Sequence, residues 1–135
     1  MILGIGTDLI MVSRVEQTFL RYGLRFVDKI LSTEEKKRFF SLTKPNRRVN
    51  FLAKRFSAKE SLLKAMGIGM GRGIDISDIT IDYNDFGKPV IVIDDKKKMI
   101  VEKILNEKFE SLNFLVSLTD ENDMVSTFVI IDKIK

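Results

Sequence analysis

The residue that first suggests chemistry is Glu60, a carboxylate inside a strongly basic stretch. Between Lys36 and Lys64 the sequence carries ten Lys and Arg residues, and Glu60 is the one acidic residue among them. In so positive a field the carboxylate is expected to stay ionised. With a second acid nearby, it could hold a divalent cation among phosphates. On a helix Glu60 and Lys64 would share one face, flanked by Arg55 and Lys59.

The second acid is Asp8, which ends the segment Gly4 to Asp8 inside an otherwise apolar strand. An ionised group there is costly unless it faces a ligand, a cation or a polar edge. Two acids, one on a strand and one on a helix, could give Mg²⁺ oxygen ligands while phosphates and waters complete its octahedron. Simpler interpretations stay open. Glu60 could belong to a solvated helix face with one Glu–Lys pair, and Asp8 could be a water-exposed residue at a strand end.

The composition limits the chemistry that is available. The chain of 135 residues contains neither cysteine nor histidine. Disulfides, thiolate zinc, imidazole metal sites and serine–histidine triads are therefore excluded, which leaves carboxylates, lysines, hydroxyls and metal-bound water. The length and the 44% hydrophobic content fit one domain, residues 1–135.

The positive charge is concentrated in one part of the chain. The formal net charge is +4, whereas the stretch from Lys36 to Lys64 alone contributes +9, so the remainder carries −5. This pattern favours an anionic ligand at one face of the protein. No basic leader with a long apolar stretch opens the sequence, and no apolar run approaches the roughly 18 residues of a membrane span. We therefore expect no membrane span and a cytoplasmic location.

Apolar spacing and turn signals predict the elements that must position these residues. Ile2 to Val12 is predicted to be a strand. Ser13 to Glu16 has the form of a capping box, which predicts a helix that Gly23 ends. A similar box at Ser32 to Glu35 predicts a second helix that runs until Pro45.

The longest predicted helix runs from Pro45 to Met66 and carries Glu60. A glycine-rich loop follows it. The sequence then predicts strands at 76–83 and 89–93, a helix from Asp94 or Asp95 to about Ser111, and a closing hairpin with strands at 113–119 and 124–131. This order predicts an α+β domain with a mainly antiparallel sheet and a long central helix.

A set of ordered motifs extends over nearly the whole chain. The motifs are Gly4-Ile-Gly-Thr-Asp8 followed by Arg14, Phe51-Leu-Ala-Lys-Arg-Phe56, Ala58-Lys-Glu-Ser-Leu-Leu-Lys64-Ala65, Gly67-Ile-Gly69-Met-Gly71 and Gly87-Lys-Pro89. In this order and spacing they resemble the bacterial holo-acyl-carrier-protein synthases, in register from Ile2 to about Ile131. Each glycine motif alone would be weak evidence, whereas the ordered set is specific.

The resemblance implies a phosphopantetheinyl transferase with a fold of that family. Such an enzyme moves the 4′-phosphopantetheine arm of coenzyme A onto a serine of apo-acyl carrier protein and releases adenosine 3′,5′-bisphosphate, a reaction of fatty acid biosynthesis. The family cofactor is Mg²⁺. By motif position Asp8 and Glu60 would bind Mg²⁺, and Lys64 would neutralise phosphate or assist the leaving group. With no histidine, the serine would lose its proton to a carboxylate or to a metal-bound hydroxide, and the sequence does not choose between them.

The resemblance also suggests which residues contact coenzyme A. Cations on the long helix are candidates to bind its phosphates, and glycine-rich turns could lie along it with free backbone N–H groups. The candidates are Arg47, Arg48, Arg55, Lys59, Gly67, Gly69, Gly87, Pro89 and Thr119. Acyl carrier proteins are acidic, so Arg14, Arg21 and Arg25 are candidates for docking them. The family is commonly a homotrimer with active sites between subunits.

One position departs from the family pattern and keeps two alternatives open. The family usually has a histidine after the strand that ends at Thr119, and this chain has Asp120. A further carboxylate near phosphates would repel them unless it bound metal or turned away. The chain could therefore be a drifted relative that binds coenzyme A or carrier protein without efficient transfer. The other alternative is a small basic RNA-binding module with Phe51 and Phe56 as stacking groups, although helical spacing favours a core position for Phe56.

Overall fold

The longest element is the helix α4, Pro45–Met66, which packs against the main sheet. Pro45 stands in its first turn, where the missing N–H costs nothing, and Gly67 caps its end in the left-handed conformation, with φ 74°. Of its 22 residues 13 are buried, so α4 is covered on several sides. The predicted bounds of this helix are confirmed.

The computed structural model describes residues 1–134. Five α-helices and five strands follow one another in this part of the chain. In chain order they are β1 Ile2–Met11, α1 Val12–Tyr22, α2 Leu24–Ile30, α3 Thr33–Ser41, α4 Pro45–Met66, β2 Ile79–Tyr83, β3 Pro89–Ile93, α5 Lys98–Leu105, β4 Leu112–Glu121 and β5 Met124–Lys133. None of the helices in this part has both the length and the apolar character of a membrane span.

All strand pairs in residues 1–134 are antiparallel, which confirms the predicted α+β class. The main sheet has the order β1-β5-β4, and β2 pairs with β3 in a separate hairpin. The inner face of the main sheet packs against α4. Its outer face exposes apolar side chains, and Ile5 and Leu9 of β1 are 60% and 62% exposed. Leu115 and Phe128 lie on the same face.

Two glycines of β1 let α4 approach the strand closely. Side chains of a strand alternate between its faces, so Gly4 and Gly6 both face α4. A Cβ atom on Gly6 would lie 2.0 Å from the carbonyl oxygen of Ser61, and one on Gly4 would lie 1.9 Å from that of Ala65. The spacing between strand and helix therefore depends on the lack of a side chain at both positions.

The start of α1 differs from the predicted capping box. The helix begins at Val12, and its N-cap residue, Met11, makes no side-chain cap. The hydroxyl of Ser13 donates to Asp123 Oδ2 at 2.6 Å, and the backbone N–H of Ser13 donates to Asp123 Oδ1 at 3.0 Å. The prediction was wrong because the carboxylate comes from the distant β4–β5 turn, not from Glu16. The end before Gly23 is confirmed.

The remaining differences concern short elements. The box between Ser32 and Glu35 is confirmed, although α3 ends at Ser41, before Pro45. The helix α2, with seven residues, was not predicted. The predicted helix to Ser111 is broken, because Asn106 takes a left-handed conformation with φ 55° and ends α5 at Leu105. Residues 76–78 form a 3₁₀ turn before β2.

Candidate functional site

Asp8 faces α4 because it lies on the same face of β1 as the two glycines. Its side chain is 14% exposed. One carboxylate oxygen, Oδ1, accepts from Lys64 Nζ at 3.2 Å, and the same ammonium donates to the backbone carbonyl of Thr7 at 2.9 Å. The other oxygen, Oδ2, is buried without a hydrogen-bond partner. An acceptor that is buried and unsatisfied in a native protein needs an explanation such as an ion.

Glu60 lies one helical turn before Lys64 and is half-buried. Burial raises the pKa of Glu60 above its ordinary value, the charge of Asp8 raises it further, and Lys64 partly offsets both. The charge pattern alone predicted a carboxylate held ionised by surrounding cations. The structure differs because Lys64 is the cation that acts on Glu60, while the nearby Lys59 points elsewhere.

The arrangement of Asp8 and Glu60 fits a divalent cation that takes part of its ligands from outside the protein. Within residues 1–134 no group of three or more His, Cys, Asp or Glu side chains forms a metal site. Mg²⁺ is often bound by one or two carboxylates, with waters and substrate phosphates as its other ligands. The unpaired oxygen of Asp8 is an available ligand of this kind.

A cluster of buried hydroxyls fastens α4 to β5 beneath this site. Thr127 Oγ1 lies 2.9 Å from Ser57 Oγ and 2.6 Å from Ser61 Oγ, and it also donates to the backbone carbonyl of Ser57 at 2.9 Å. Buried polar groups that satisfy one another in this way fix the register of the elements that carry them. Because Ser61 follows Glu60 directly, the cluster helps to set where Glu60 points.

Lys59 is placed differently from the prediction that it binds phosphate. Its side chain is fully buried, and its ammonium contacts Glu35 Oε1 and donates to the backbone carbonyl of Ile30 at 2.6 Å. Burial lowers the pKa of Lys59 to about 8, against the opposing effect of Glu35. An ammonium enclosed in this way cannot reach a phosphate at the surface, so the structure does not support Lys59 as a phosphate ligand.

The buried partner of Lys59 is Glu35, whose carboxylate also orders its surroundings. Its Oε2 accepts from the backbone N–H of Ile81 at 3.0 Å and lies 3.9 Å from Arg55 Nε. The guanidinium of Arg55 lies 3.8 Å from the centre of the Phe51 ring. The Glu35 carboxylate on α3 thus contacts both α4 and β2.

We expect Glu35→Gln to lower the free energy of unfolding by about 3–5 kcal/mol, because it leaves the Lys59 ammonium buried without a countercharge. The amide oxygen can keep one backbone hydrogen bond, so the change mainly removes charge. Urea unfolding followed by circular dichroism measures the effect. Asp28→Asn is a matched control, since it breaks the exposed pair with Lys36 (2.8 Å) and should cost less than about 1 kcal/mol. Equal losses in the two variants would contradict the assigned role of Glu35.

The other predicted phosphate ligands on α4 differ in their exposure. Arg47 is exposed in the first turn. Arg48 donates from Nε to the carbonyl of Leu42 at 2.8 Å, and its guanidinium lies over the ring of Phe39. Arg55 lines a cleft of about 670 Å³ between α3 and the β2–β3 hairpin. Arg47 is therefore the member of this group best placed for an external anion, whereas Arg55 is only 6% exposed and its guanidinium lies against the rings of Phe51 and Tyr83.

The predicted glycine and turn residues lie in three separate places. Gly67 and Gly69 follow the end of α4, Gly87 and Pro89 belong to the β2–β3 hairpin, and Thr119 is exposed on β4. Within residues 1–134, no side-chain hydrogen bond or ion pair links any of these residues to Asp8 or Glu60. Their contact with coenzyme A stays a prediction.

Asp120 lies beside Thr119 and has a cation for a partner. Its Oδ2 is 3.7 Å from Lys54 Nζ of α4. The pair is partly exposed, with 56% of the Asp120 side chain accessible, and contributes little to stability. It nevertheless offsets the negative charge that the sequence placed near the predicted phosphate site.

Of the three arginines predicted to dock the carrier protein, two line a groove beside α1 and α2. The groove consists of adjoining cavities of about 440 and 600 Å³ that share Thr18, Phe26 and Phe56. Arg14 lines one cavity and Arg25 the other. Arg21 lies at the end of α1, with its guanidinium 5.3 Å from the centre of the adjacent Tyr22 ring.

The aromatic residues of the RNA-binding alternative are not arranged for stacking on bases. Phe51 is buried and covered by Arg55, and Phe56 is half-buried at the floor of the groove. Stacking platforms for single strands require exposed rings. The structure therefore does not favour this alternative.

The roles of three residues were not predicted from the sequence: Glu35, Asp123 and Phe26. Glu35 appeared only as part of a capping box, although a glutamate in that motif is free to use its second oxygen elsewhere. Phe26 belongs to the short α2, which was not predicted. Asp123 appeared only as a turn residue.

Comparison with known proteins agrees with this geometry. The sequence model of the 4′-phosphopantetheinyl transferase superfamily matches residues 4–119. A holo-[acyl-carrier-protein] synthase from Wigglesworthia glossinidia brevipalpis is 41% identical over 133 residues, which are 97% of this chain and 92% of that protein. The crystal structure of the synthase from Neisseria meningitidis superposes with a TM-score of 0.85, at 33% identity over 98% of this chain and all of the other. The synthase from Bacillus anthracis str. Ames, in complex with CoA (3′,5′-ADP), gives a TM-score of 0.78 at 26% identity over 98% of each chain.

Proposed function

Because this chain belongs to the 4′-phosphopantetheinyl transferase superfamily, we propose that it transfers the 4′-phosphopantetheine group of coenzyme A to a serine of apo-acyl carrier protein. The resemblance predicted from the motifs is confirmed by these comparisons. The observation in this chain that carries the proposal is the meeting of Asp8, Glu60 and Lys64 where β1 contacts α4. The cytoplasmic location and the role in fatty acid biosynthesis are part of the same proposal and rest on the family.

The transfer forms one bond and breaks another at phosphorus. The serine oxygen bonds to the phosphorus that carries the pantetheine arm, and the pyrophosphate bond breaks to release adenosine 3′,5′-bisphosphate. The Lys64 ammonium can place a fixed positive charge beside the phosphate oxygens. Asp8 and Glu60 would hold Mg²⁺, which when bound neutralises pyrophosphate charge. The serine proton would pass to a carboxylate or to a hydroxide, since the sequence contains no histidine.

We propose that Arg47 and Arg55 bind phosphates of coenzyme A, with Arg48 supporting the start of α4. The cleft at Arg55 is lined by Arg38 and Lys96 as well as by several carboxylates, Asp78 and Asp82 among them, so its charge is mixed. The N–H groups of Gly67, Gly69 and Gly87 are candidate donors along the cofactor. Pro89 and Thr119 complete the predicted contacts.

The groove beside α1 supports docking of an acidic carrier protein. Arg14 and Arg25 line it, Arg21 lies at the end of α1, and Phe26 and Phe56 give it an apolar floor. Basic residues around an apolar groove suit an acidic helical partner, because charge steers the approach and apolar contact holds the complex.

We propose a homotrimer with active sites between subunits, as in the family. The apolar outer face of the main sheet supports this, since four large side chains from three strands are exposed together. Contiguous apolar surface of this kind marks interaction sites. Sedimentation velocity should give three chains per particle, and a monomer at all concentrations up to 100 times the assay concentration would contradict the proposal.

The decisive experiment is direct transfer. The protein is incubated with Mg²⁺, coenzyme A and apo-acyl carrier protein, and the carrier is examined by mass spectrometry. We expect the mass increment of one phosphopantetheine, and its disappearance when the acceptor serine of the carrier is changed to alanine. Absence of the increment at high enzyme concentration would reject the transferase and favour the drifted relative, which would still bind coenzyme A.

A further inference from the structure

We propose that Lys64 competes with the divalent cation for the Asp8 carboxylate, and that the phosphate of the substrate releases this competition. The inference rests on the proposed function, because it concerns the same metal and the same substrate. It assigns Lys64 a second role, in which the ammonium makes metal binding depend on coenzyme A.

The Lys64 ammonium already occupies the strand that carries Asp8. Its Nζ lies 3.2 Å from Asp8 Oδ1 and 2.9 Å from the carbonyl oxygen of Thr7. These oxygens belong to the strand that would present Asp8 to a metal. A cation drawn to the buried Oδ2 of the same carboxylate therefore meets an ammonium already bound at Oδ1.

The side chains of Asp8 and Lys64 differ in how freely they can move. The Asp8 side chain is 14% exposed on a strand whose backbone touches α4, whereas the Lys64 side chain is 54% exposed. A lysine side chain has four rotatable bonds and can relocate its ammonium at small cost when another anion is offered. Lys64 is therefore the partner that would leave.

The local charges explain why a phosphate matters. Asp8 and Glu60 together carry two negative charges, and Lys64 carries one positive charge. Lys59, the next cation along the helix, is bound to Glu35 in the interior. A divalent cation added beside Lys64 would leave an excess of positive charge, which a pyrophosphate neutralises. Metal and coenzyme A should then bind cooperatively, with part of the coupling carried by Lys64.

The first test measures Mg²⁺ binding without coenzyme A in the wild-type protein, Lys64→Met and Lys54→Met. Isothermal titration calorimetry measures the affinity for Mg²⁺, and the Mg²⁺ dependence of the thermal unfolding midpoint is a second readout. We expect Lys64→Met to bind Mg²⁺ about five- to tenfold more tightly than the wild type, because the competing ammonium is gone. Lys54→Met also loses one ion-paired lysine from α4, about 15 Å away along the helix, and should not differ from the wild type.

The second test uses the wild-type protein and does not depend on the variant folding. Brief acetylation of lysines followed by mass spectrometry reports how accessible each ammonium is. Saturating Mg²⁺ should raise the rate at Lys64 at least about threefold and leave the rate at Lys54 unchanged, because an ammonium released from an ion pair reacts faster.

The outcomes separate this inference from the proposed function. Unchanged Mg²⁺ affinity in a folded Lys64→Met, or an unchanged Lys64 rate in Mg²⁺-saturated wild type, would overturn the competition while leaving the transferase intact. If the wild type bound no Mg²⁺ even with coenzyme A present, the metal site itself would be wrong and this inference would fall with it.

Discussion

Gly6→Ala is expected to destabilise the protein by more than about 3 kcal/mol and to abolish transfer at ordinary assay temperatures. The new methyl group would lie 2.0 Å from the carbonyl oxygen of Ser61 and 2.6 Å from the backbone nitrogen of Ala65. Both are backbone atoms of the C-terminal part of α4 and cannot turn aside. The strand would have to move from the helix, which would separate Asp8 from Glu60 and Lys64. Urea and thermal unfolding measure the loss.

Gly69→Ala is the matched control for this prediction. A Cβ at Gly69 meets no atom within 4 Å, so the change should alter the unfolding free energy by less than about 0.5 kcal/mol. Gly4→Ala should behave like Gly6→Ala, since its Cβ would lie 1.9 Å from the carbonyl oxygen of Ala65. If Gly6→Ala and Gly69→Ala had the same melting temperature, the close packing of β1 on α4 would not be what keeps Asp8 next to Glu60 and Lys64.

Glu60→Gln is expected to lower kcat by at least about 100-fold while the fold persists. Even residues that merely support a metal ligand cost 10- to 100-fold when changed, and loss of the charged ligand should cost no less. The thermal midpoint should be at least as high as that of the wild type, because burial and Asp8 both act against the ionised form of Glu60. Mass spectrometry of the carrier gives the rate, and calorimetry gives Mg²⁺ affinity.

Glu110→Gln removes an exposed carboxylate from the turn before β4 and serves as the control, with no change expected in rate or stability. A Glu60→Gln protein with wild-type dependence on Mg²⁺ concentration would remove Glu60 from the metal site. A strongly lowered melting temperature would show instead that Glu60 has a structural role.

The part of the site that lies on regular elements could be predicted from local sequence. Pro45 and Gly67 mark the ends of α4, and its apolar spacing predicts the helix, so Glu60 and Lys64 could be placed on one face. Alternation along β1 likewise places Gly4, Gly6 and Asp8 on one face, and paired glycines indicate a close neighbour. That this neighbour is α4 required the family resemblance or the structure.

The part that could not be predicted depends on partners distant in the chain. Lys59 looked like one more surface cation in a basic stretch, and its burial depends on Glu35, 24 positions earlier. The start of α1 depends on Asp123, 110 positions after Ser13. Charge patterns describe how many cations a segment carries, whereas tertiary contacts decide which of them remain free to bind a ligand.

The pairing of β1 with β5 has a consequence for how the protein reaches its active form. In the sheet of residues 1–134, the strand that carries Asp8 has β5 as its hydrogen-bonded neighbour, more than 100 residues later in the chain. On the ribosome β1 therefore stays without its sheet partner until β5 has emerged from the exit tunnel. Pairings of such long sequence separation form slowly. We expect the active site to assemble only once β5 is available, after an interval in which the apolar first strand is open to chaperones or to aggregation.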